Sequence, residues 1–211
     1  MTGVLFDLDG VLIDSETIYT KFWEDIDKIY PTGVKDFAYI IKGNNLAKIL
    51  NTYYPDKELQ KTIIKMIDDF EDNMHYEIFP GVIDFLTELK SAGIPMAIVT
   101  SSDIKKMEKL YASHPDFKSY FNAVVTGNMV KHSKPDPECF LKGAELIGCK
   151  PEDCVIFEDS PSGILAALAT GGKVIALATT LRLEDINKEA HKIIKSFAGF
   201  HINDMLEVSK P

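Results

Sequence analysis

The sequence predicts a doubly wound α/β protein: a parallel sheet with helices on both faces, and a small all-helical domain inserted after the first strand. Three observations predict it. Short apolar runs alternate with segments of helical period from Pro80 onward. One further apolar run, Val4-Leu5-Phe6, stands by itself at the start. Between that run and Pro80 only helical periods occur.

In order along the chain, Val4-Leu5-Phe6 ends in Asp7 and reads as a buried strand. Ile18, Phe22, Trp23, Ile26 and Ile29 then recur at helical spacing, and a loop with Pro31 and Gly33 follows. Leu59, Ile63, Ile67, Phe70 and Met74 mark a long amphipathic helix, so residues 15–78 hold helices and no convincing strand. Pro80-Gly81 punctuates this stretch. Val82, Phe85, Leu86 and Leu89 give a helix that Gly93 stops, and Pro95 to Val99 a strand. Ile104, Met107, Leu110 and Tyr111 give a helix, and Ala123 to Val125 a short strand. Phe140, Leu141, Ala144 and Ile147 form a helix ended by Gly148. Cys154 to Phe157 is a strand, Ile164 to Leu168 a helix and Val174 to Leu177 a strand. The expected division is a Rossmann-like core of residues 1–14 and 80–211 with a helical domain of residues 15–79. In such a sheet ligands sit at the carboxyl ends of the strands.

Composition narrows the function. The 211 residues suffice for one core with a smaller insert. A net charge of -9 argues against nucleic acid or an anionic membrane as partner, since either calls for a basic face. Arg182 is the one arginine, which excludes an arginine cluster gripping a polyanion. An acidic chain can still bind a phosphate if a cation bridges the like charges. Cys139, Cys149 and Cys154 lack CxxC spacing and read as small buried thiols. The first residues have no basic n-region, and no apolar run approaches the ~20 residues of a membrane span. The simplest expectation is a monomer in the cytoplasm.

Polar residues gather where apolar strands stop, in Asp7-Leu8-Asp9-Gly10, Thr100-Ser101-Ser102, Ser133-Lys134-Pro135-Asp136 and Glu158-Asp159-Ser160. Residues i and i+2 of an extended chain point the same way, so Asp7 and Asp9 flank one small volume. Asp9-Gly10 also suits a tight turn. A calcium loop fails, because the glycine stands at the fourth position and Val11-Leu12 fall where oxygen ligands belong. Glu158 and Asp159 end the strand from Cys154, although Asp159 or Ser160 could instead cap the helix after Pro161. If the strand ends meet, these four carboxylates crowd together and raise one another's pKa values. A hard divalent cation removes the conflict, and magnesium, which favours a few carboxylates plus substrate phosphate, suits the set. The Thr100 hydroxyl, the backbone N–H groups that follow it at Ser101, and the Lys134 ammonium can hold phosphoryl oxygens. The alternatives are that Lys134 is a solvated lysine before a proline turn and that Thr100-Ser101-Ser102 caps the helix beginning near Asp103.

This order of motifs resembles that of the haloacid dehalogenase-like hydrolase superfamily. Asp7-Leu8-Asp9-Gly10-Val11-Leu12 is similar to its first motif, Thr100 after Ala97-Ile98-Val99 to the second, Lys134 to the third, and Glu158-Asp159-Ser160-Pro161-Ser162-Gly163 to the fourth. The resemblance covers nearly the whole chain. It implies that Asp7 is the nucleophile and Asp9 the general acid/base. It also implies that Asp7, Asp9 and Asp159 hold Mg2+, with Glu158 binding directly or through water, and that Thr100, Ser101 and Lys134 bind phosphate. The helical insert matches the subgroup of beta-phosphoglucomutase and the small sugar-phosphate phosphatases, which implies a small phosphorylated metabolite as substrate and an insert that closes over the site and chooses the leaving group. Tyr19, Lys42, Asn44 and Asn45 are the candidate specificity residues. Tyr19 stands where the mutases have a histidine, their cap arginine is absent, and Asn44-Asn45 follow the matching Lys42-Gly43. These departures weigh against a phosphomutase. The implied activity is Mg2+-dependent hydrolysis of a sugar or polyol phosphate through an aspartyl phosphate. A phosphomutase is the rival, and a catalytically idle binding module on the same fold is a third reading.

Overall fold

The computed structural model describes residues 2–41, 46–180, 183, 186 and 189–209. Its elements run β1 (Gly3–Phe6), α1 (Glu16–Ile29), α2 (Phe37–Ile40), α3 (Leu46–Tyr53), α4 (Lys57–Asp72), α5 (Val82–Ser91), β2 (Met96–Val99), α6 (Ile104–Ser113), β3 (Ala123–Val125), α7 (Glu138–Leu146), β4 (Cys154–Glu158), α8 (Pro161–Ala169), β5 (Lys173–Leu177), β6 (Lys192–Ile194) and α9 (Ile202–Leu206). The chain divides into two compact units, Met1–Asp14 with Tyr76–Pro211, and Ser15–His75.

The larger unit is a parallel sheet of order β3-β2-β1-β4-β5-β6, six strands among the described residues. The chain steps outward from β1 to β3, then returns to β4 on the other side of β1. The order therefore reverses between β1 and β4, where doubly wound sheets open a crevice at the strand ends. β1 pairs Val4–Phe6 with Met96–Ile98 and Gly3–Phe6 with Cys154–Phe157, so it is flanked on both edges and fully buried. That placement explains a strand with no polar residue.

Alternation along the strands divides the core into two layers. Leu5, Ala97, Val99, Ile156, Val174 and Ala176 pack on one face with Phe140 and Ala144 of α7 and Ile164 and Ala167 of α8. On the other face Phe6 and Phe157 stack at 5.0 Å, and Phe85 of α5 meets both edge-on at 6.3 and 5.6 Å. Phe197 and Phe200 close this aromatic layer. Each such ring, fully buried, contributes roughly 1.5–3 kcal/mol of transfer free energy. Helices cover both faces, as the alternating pattern predicts.

The smaller unit has a core of its own, with Phe22, Trp23, Ile26, Phe37, Ile63 and Ile67 among its buried residues. Asp56 caps α4 by accepting from the N–H groups of Glu58 and Leu59 at 2.8 and 3.4 Å. Ser160 caps α8 by accepting from Gly163 N–H at 3.1 Å, with Pro161 in the first turn. No helix among the described residues is long and apolar enough to cross a membrane. The strand β6 lies outside the sequence reading. Lys192–Ile194 has only three residues, all half-buried at the sheet edge, and so shows neither alternation nor an apolar run.

Candidate active site

Asp7 follows β1 directly, and its N–H continues the ladder by donating to the Phe157 carbonyl at 3.0 Å. The next residue is buried Leu8, and Gly10 turns the chain at φ 76°. A Cβ on Gly10 would lie 2.0 Å from Asp159 Oδ2, so only glycine allows the turn to pass this close to the end of β4. Asp7 and Asp159 are thereby brought together. One carboxylate oxygen from each of Asp7, Glu158 and Asp159 lies within 4.8 Å of the others, and all three residues are buried.

Lys134 balances part of this charge. Its ammonium donates to Asp7 Oδ1 at 2.5 Å and to Glu158 Oε1 at 2.7 Å, with its side chain 7% exposed. It also lies 4.9 Å from the centroid of the Phe140 ring. Burial works against the charged lysine, but Asp7 and Glu158 outweigh it and hold its pKa above the ordinary value. Asp7 shows the opposite balance. Burial pushes its carboxyl up to about 7, Glu158 and Asp9 add to the rise, and Lys134 opposes it. Desolvation is the larger effect at Asp7.

Glu158 faces inward. Its Oε2 accepts from the N–H groups of Asp159 and Ser160, both at 2.7 Å, and from Ser160 Oγ at 3.0 Å, while Oε1 holds Lys134. A Cβ on Gly163 would fall 1.7 Å from Glu158 Oε1, so the first turn of α8 is shaped around this carboxylate. The helix cap that the sequence offered as an alternative coexists with the acidic cluster: Ser160 caps, and Glu158 and Asp159 line the site.

Thr100 follows β2 directly and is buried. Its N–H donates to the Val125 carbonyl at 2.9 Å, and its hydroxyl oxygen accepts from Ser102 N–H at 3.0 Å, leaving the hydroxyl hydrogen to offer. Ser101 is exposed. The cap of α6 is Asp103, which accepts from Lys106 N–H at 3.0 Å, so Thr100 and Ser101 are spared that task. Tyr19 belongs to the smaller unit. Its hydroxyl donates to Glu71 Oε1 at 2.6 Å, and its ring meets Phe70 edge-on at 5.8 Å. It lines a cavity of about 200 Å³ within that unit together with Glu16, Trp23, Ile67 and Glu71. Lys42, Asn44 and Asn45 lie outside the described residues.

Four residues near the strand ends have partners that the sequence reading does not give. Ser102 Oγ donates to Asp9 Oδ2 at 2.8 Å, and Lys106 pairs with Asp9 Oδ1. The Thr179 hydroxyl donates to the Gly10 carbonyl, and the Thr180 hydroxyl to Asp159 Oδ2. Hydroxyl residues after β5 are the one sequence signal for the last two.

Comparison with known proteins decides the family. The profile described as haloacid dehalogenase-like hydrolase matches residues 4–177. The chain belongs to the haloacid dehalogenase-like hydrolase family. It is 32% identical to hexitol phosphatase A of Escherichia coli (strain K12) over 201 residues, covering 90% of this chain and 91% of that protein. It is 30% identical to a probable pseudouridine-5'-phosphatase of Drosophila melanogaster, covering 95% and 91% of the two chains. A crystal structure of a family IA haloacid dehalogenase-type hydrolase from Entamoeba histolytica superposes with a TM-score of 0.83 over 100% of both chains at 23% identity, which establishes the shared fold. The family is a hydrolase family, and the acidic cluster at the β1–β4 switch point is where this member concentrates its buried charge.

The Glu158–Gly163 contact is directly testable. Gly163→Ala must push the Glu158 carboxylate off Lys134, and breaking a buried, paired charge costs about 3–5 kcal/mol. Urea denaturation should show that loss. An unchanged midpoint and slope would show that α8 does not depend on this approach.

Proposed function

We propose that the chain is a Mg2+-dependent phosphohydrolase that cleaves a small phosphate monoester, a sugar or polyol phosphate, through an aspartyl phosphate on Asp7. The observation that carries this reading is the buried set at the switch point: Asp7 at the end of β1, Lys134 on its carboxylate, and Glu158 and Asp159 at the end of β4. Relatives named as phosphatases of a hexitol and of a 5'-nucleotide analogue support both the reaction class and a small phosphorylated substrate.

In the first half-reaction a carboxylate oxygen of Asp7 attacks phosphorus, the bond from phosphorus to the leaving oxygen breaks, and Asp9 gives that oxygen its proton. In the second half a water oxygen attacks the same phosphorus and passes a proton to Asp9. The bond to Asp7 then breaks and inorganic phosphate leaves. Lys134 and the Thr100 hydroxyl hold phosphoryl oxygens, so positioning and electrostatics carry most of the rate. The donor set fits a hard divalent ion, because it consists of carboxylate and carbonyl oxygens with negative charge in excess of Lys134. Asp7, Asp159 and the Asp9 carbonyl would hold Mg2+. Glu158, already engaged with Lys134 and the 159–160 backbone, would share it only through its remaining acceptor capacity. The bound ion supplies neutralisation of the charge that develops on the transferring group. Residues 15–79 contain no arginine, the side chain best shaped to grip a second phosphoryl group. That favours water over a phosphosugar hydroxyl as the acceptor.

The direct test is phosphate release from hexitol phosphates, pseudouridine 5'-phosphate and p-nitrophenyl phosphate. Asp9→Asn should lower turnover of the alkyl phosphates roughly 10²–10⁴-fold, the usual worth of a general acid/base. A loss under about tenfold would remove Asp9 from that role. Activity should also require Mg2+ and fall when Ca2+ replaces it, since calcium takes more ligands at longer distances. Undiminished turnover in a chelator would defeat the metal assignment.

A further inference from the structure

Asp9 is held by groups that Asp7 does not share. Ser102 Oγ donates to Asp9 Oδ2 at 2.8 Å, and the Lys106 ammonium pairs with Asp9 Oδ1. Both donors come from one short stretch, the loop after β2 and the first turn of α6. The side chains of Lys106 and Asp9 are only 14% and 24% exposed. Lys106 is also braced. Its backbone N–H is fixed on Asp103, and its ammonium lies 5.5 Å from the centroid of the Tyr76 ring. Tyr76 is buried, and its carbonyl accepts from His114 Nε2 at 2.7 Å, one residue past the far end of α6. The helix thus grips Tyr76 at one end and Asp9 at the other.

An ionised carboxylate has about four lone-pair sites, two on each oxygen. Ser102 and Lys106 take one on each. One donor on each oxygen fixes both torsions of the Asp9 side chain. Proton transfer needs the base within hydrogen-bond reach of the proton it takes, and a misplacement of about 1 Å can cost on the order of 10²-fold.

We propose that Lys106, braced by Tyr76, is a positioning residue for Asp9 in the proton transfers of the reaction. The inference rests on the acid/base reading of Asp9 given above. Lys106 acts through Asp9. It aims the carboxylate that gives a proton to the leaving oxygen in one half-reaction and takes a proton from water in the other.

p-Nitrophenyl phosphate isolates the second half, because nitrophenolate leaves without needing a proton. The test is stopped-flow nitrophenolate release from the full chain with Mg2+, comparing the parent with Lys106→Met, Lys106→Arg and Asp9→Asn. Denaturation midpoints establish that each variant is folded, and Lys106→Gln replaces Lys106→Met if the latter is not. In Lys106→Met the dephosphorylation rate constant, read from the slow phase, should fall about 10–100-fold, while the phosphorylation rate constant, read from the burst, should stay within about threefold. Lys106→Arg, which keeps a cationic donor, should recover most of the slow phase. Should Lys106→Met match the parent beside an impaired Asp9→Asn, the positioning role is wrong and the acid/base reading stands. Equal loss in burst and slow phase would also overturn the inference, since Lys106 would then be serving phosphate binding or the fold. Asp9→Asn at the parent rate in both phases would defeat the acid/base reading itself.

Discussion

A single buried ammonium, Lys134, stands against three buried carboxylates where β1 and β4 end, and the architecture of this region answers to that imbalance. Removing like charges from water without partners costs several kcal/mol per ion. The protein meets part of that cost with directed hydrogen bonds: three donors from residues 159–160 on Glu158, and the Thr180 hydroxyl on Asp159. What remains formally is three negative charges less one positive, a net of minus two that one divalent cation would balance. Burial pushes the Asp7 carboxyl up to about 7.

The sheet order makes this concentration possible. β1 is paired on both edges, so Asp7 leaves a strand with no freedom to shift. The reversal at β1 and β4 sets Glu158 beside it. The glycines at 10 and 163 then let backbone approach the carboxylates more closely than any side chain would permit. Rigid positioning of this kind is what phosphoryl transfer asks of a protein, because the chemistry leaves little else for it to do.

Much of this was legible in the sequence, for a physical reason. A strand that is buried on both faces is an unbroken apolar run, so the first polar residue at its end marks where it stops. Asp7, Thr100 and Glu158 all stand there. Side-chain partners across the site were not legible. Lys106 reaches Asp9 from 97 residues away, and in the sequence it is one of two adjacent lysines on an amphipathic helix, a pattern shared with many solvated helix faces. Glu158 read as a metal ligand because its neighbours are acidic, whereas its orientation toward Lys134 depends on the turn that Gly163 allows. Tyr19 carried a signal of position alone, and its partner Glu71 lies 52 residues on, in another helix of the same small unit.

The central claim is that Asp7 becomes phosphorylated during turnover. The most direct measurement is mass spectrometry of the acid-quenched enzyme after mixing with p-nitrophenyl phosphate and Mg2+, followed by borohydride reduction and peptide mapping. The account predicts reduction of an acyl phosphate at Asp7 alone, lost in Asp7→Asn and enriched in Asp9→Asn. Turnover with no modified Asp7 at any quench time, or modification at a different carboxylate, would contradict it.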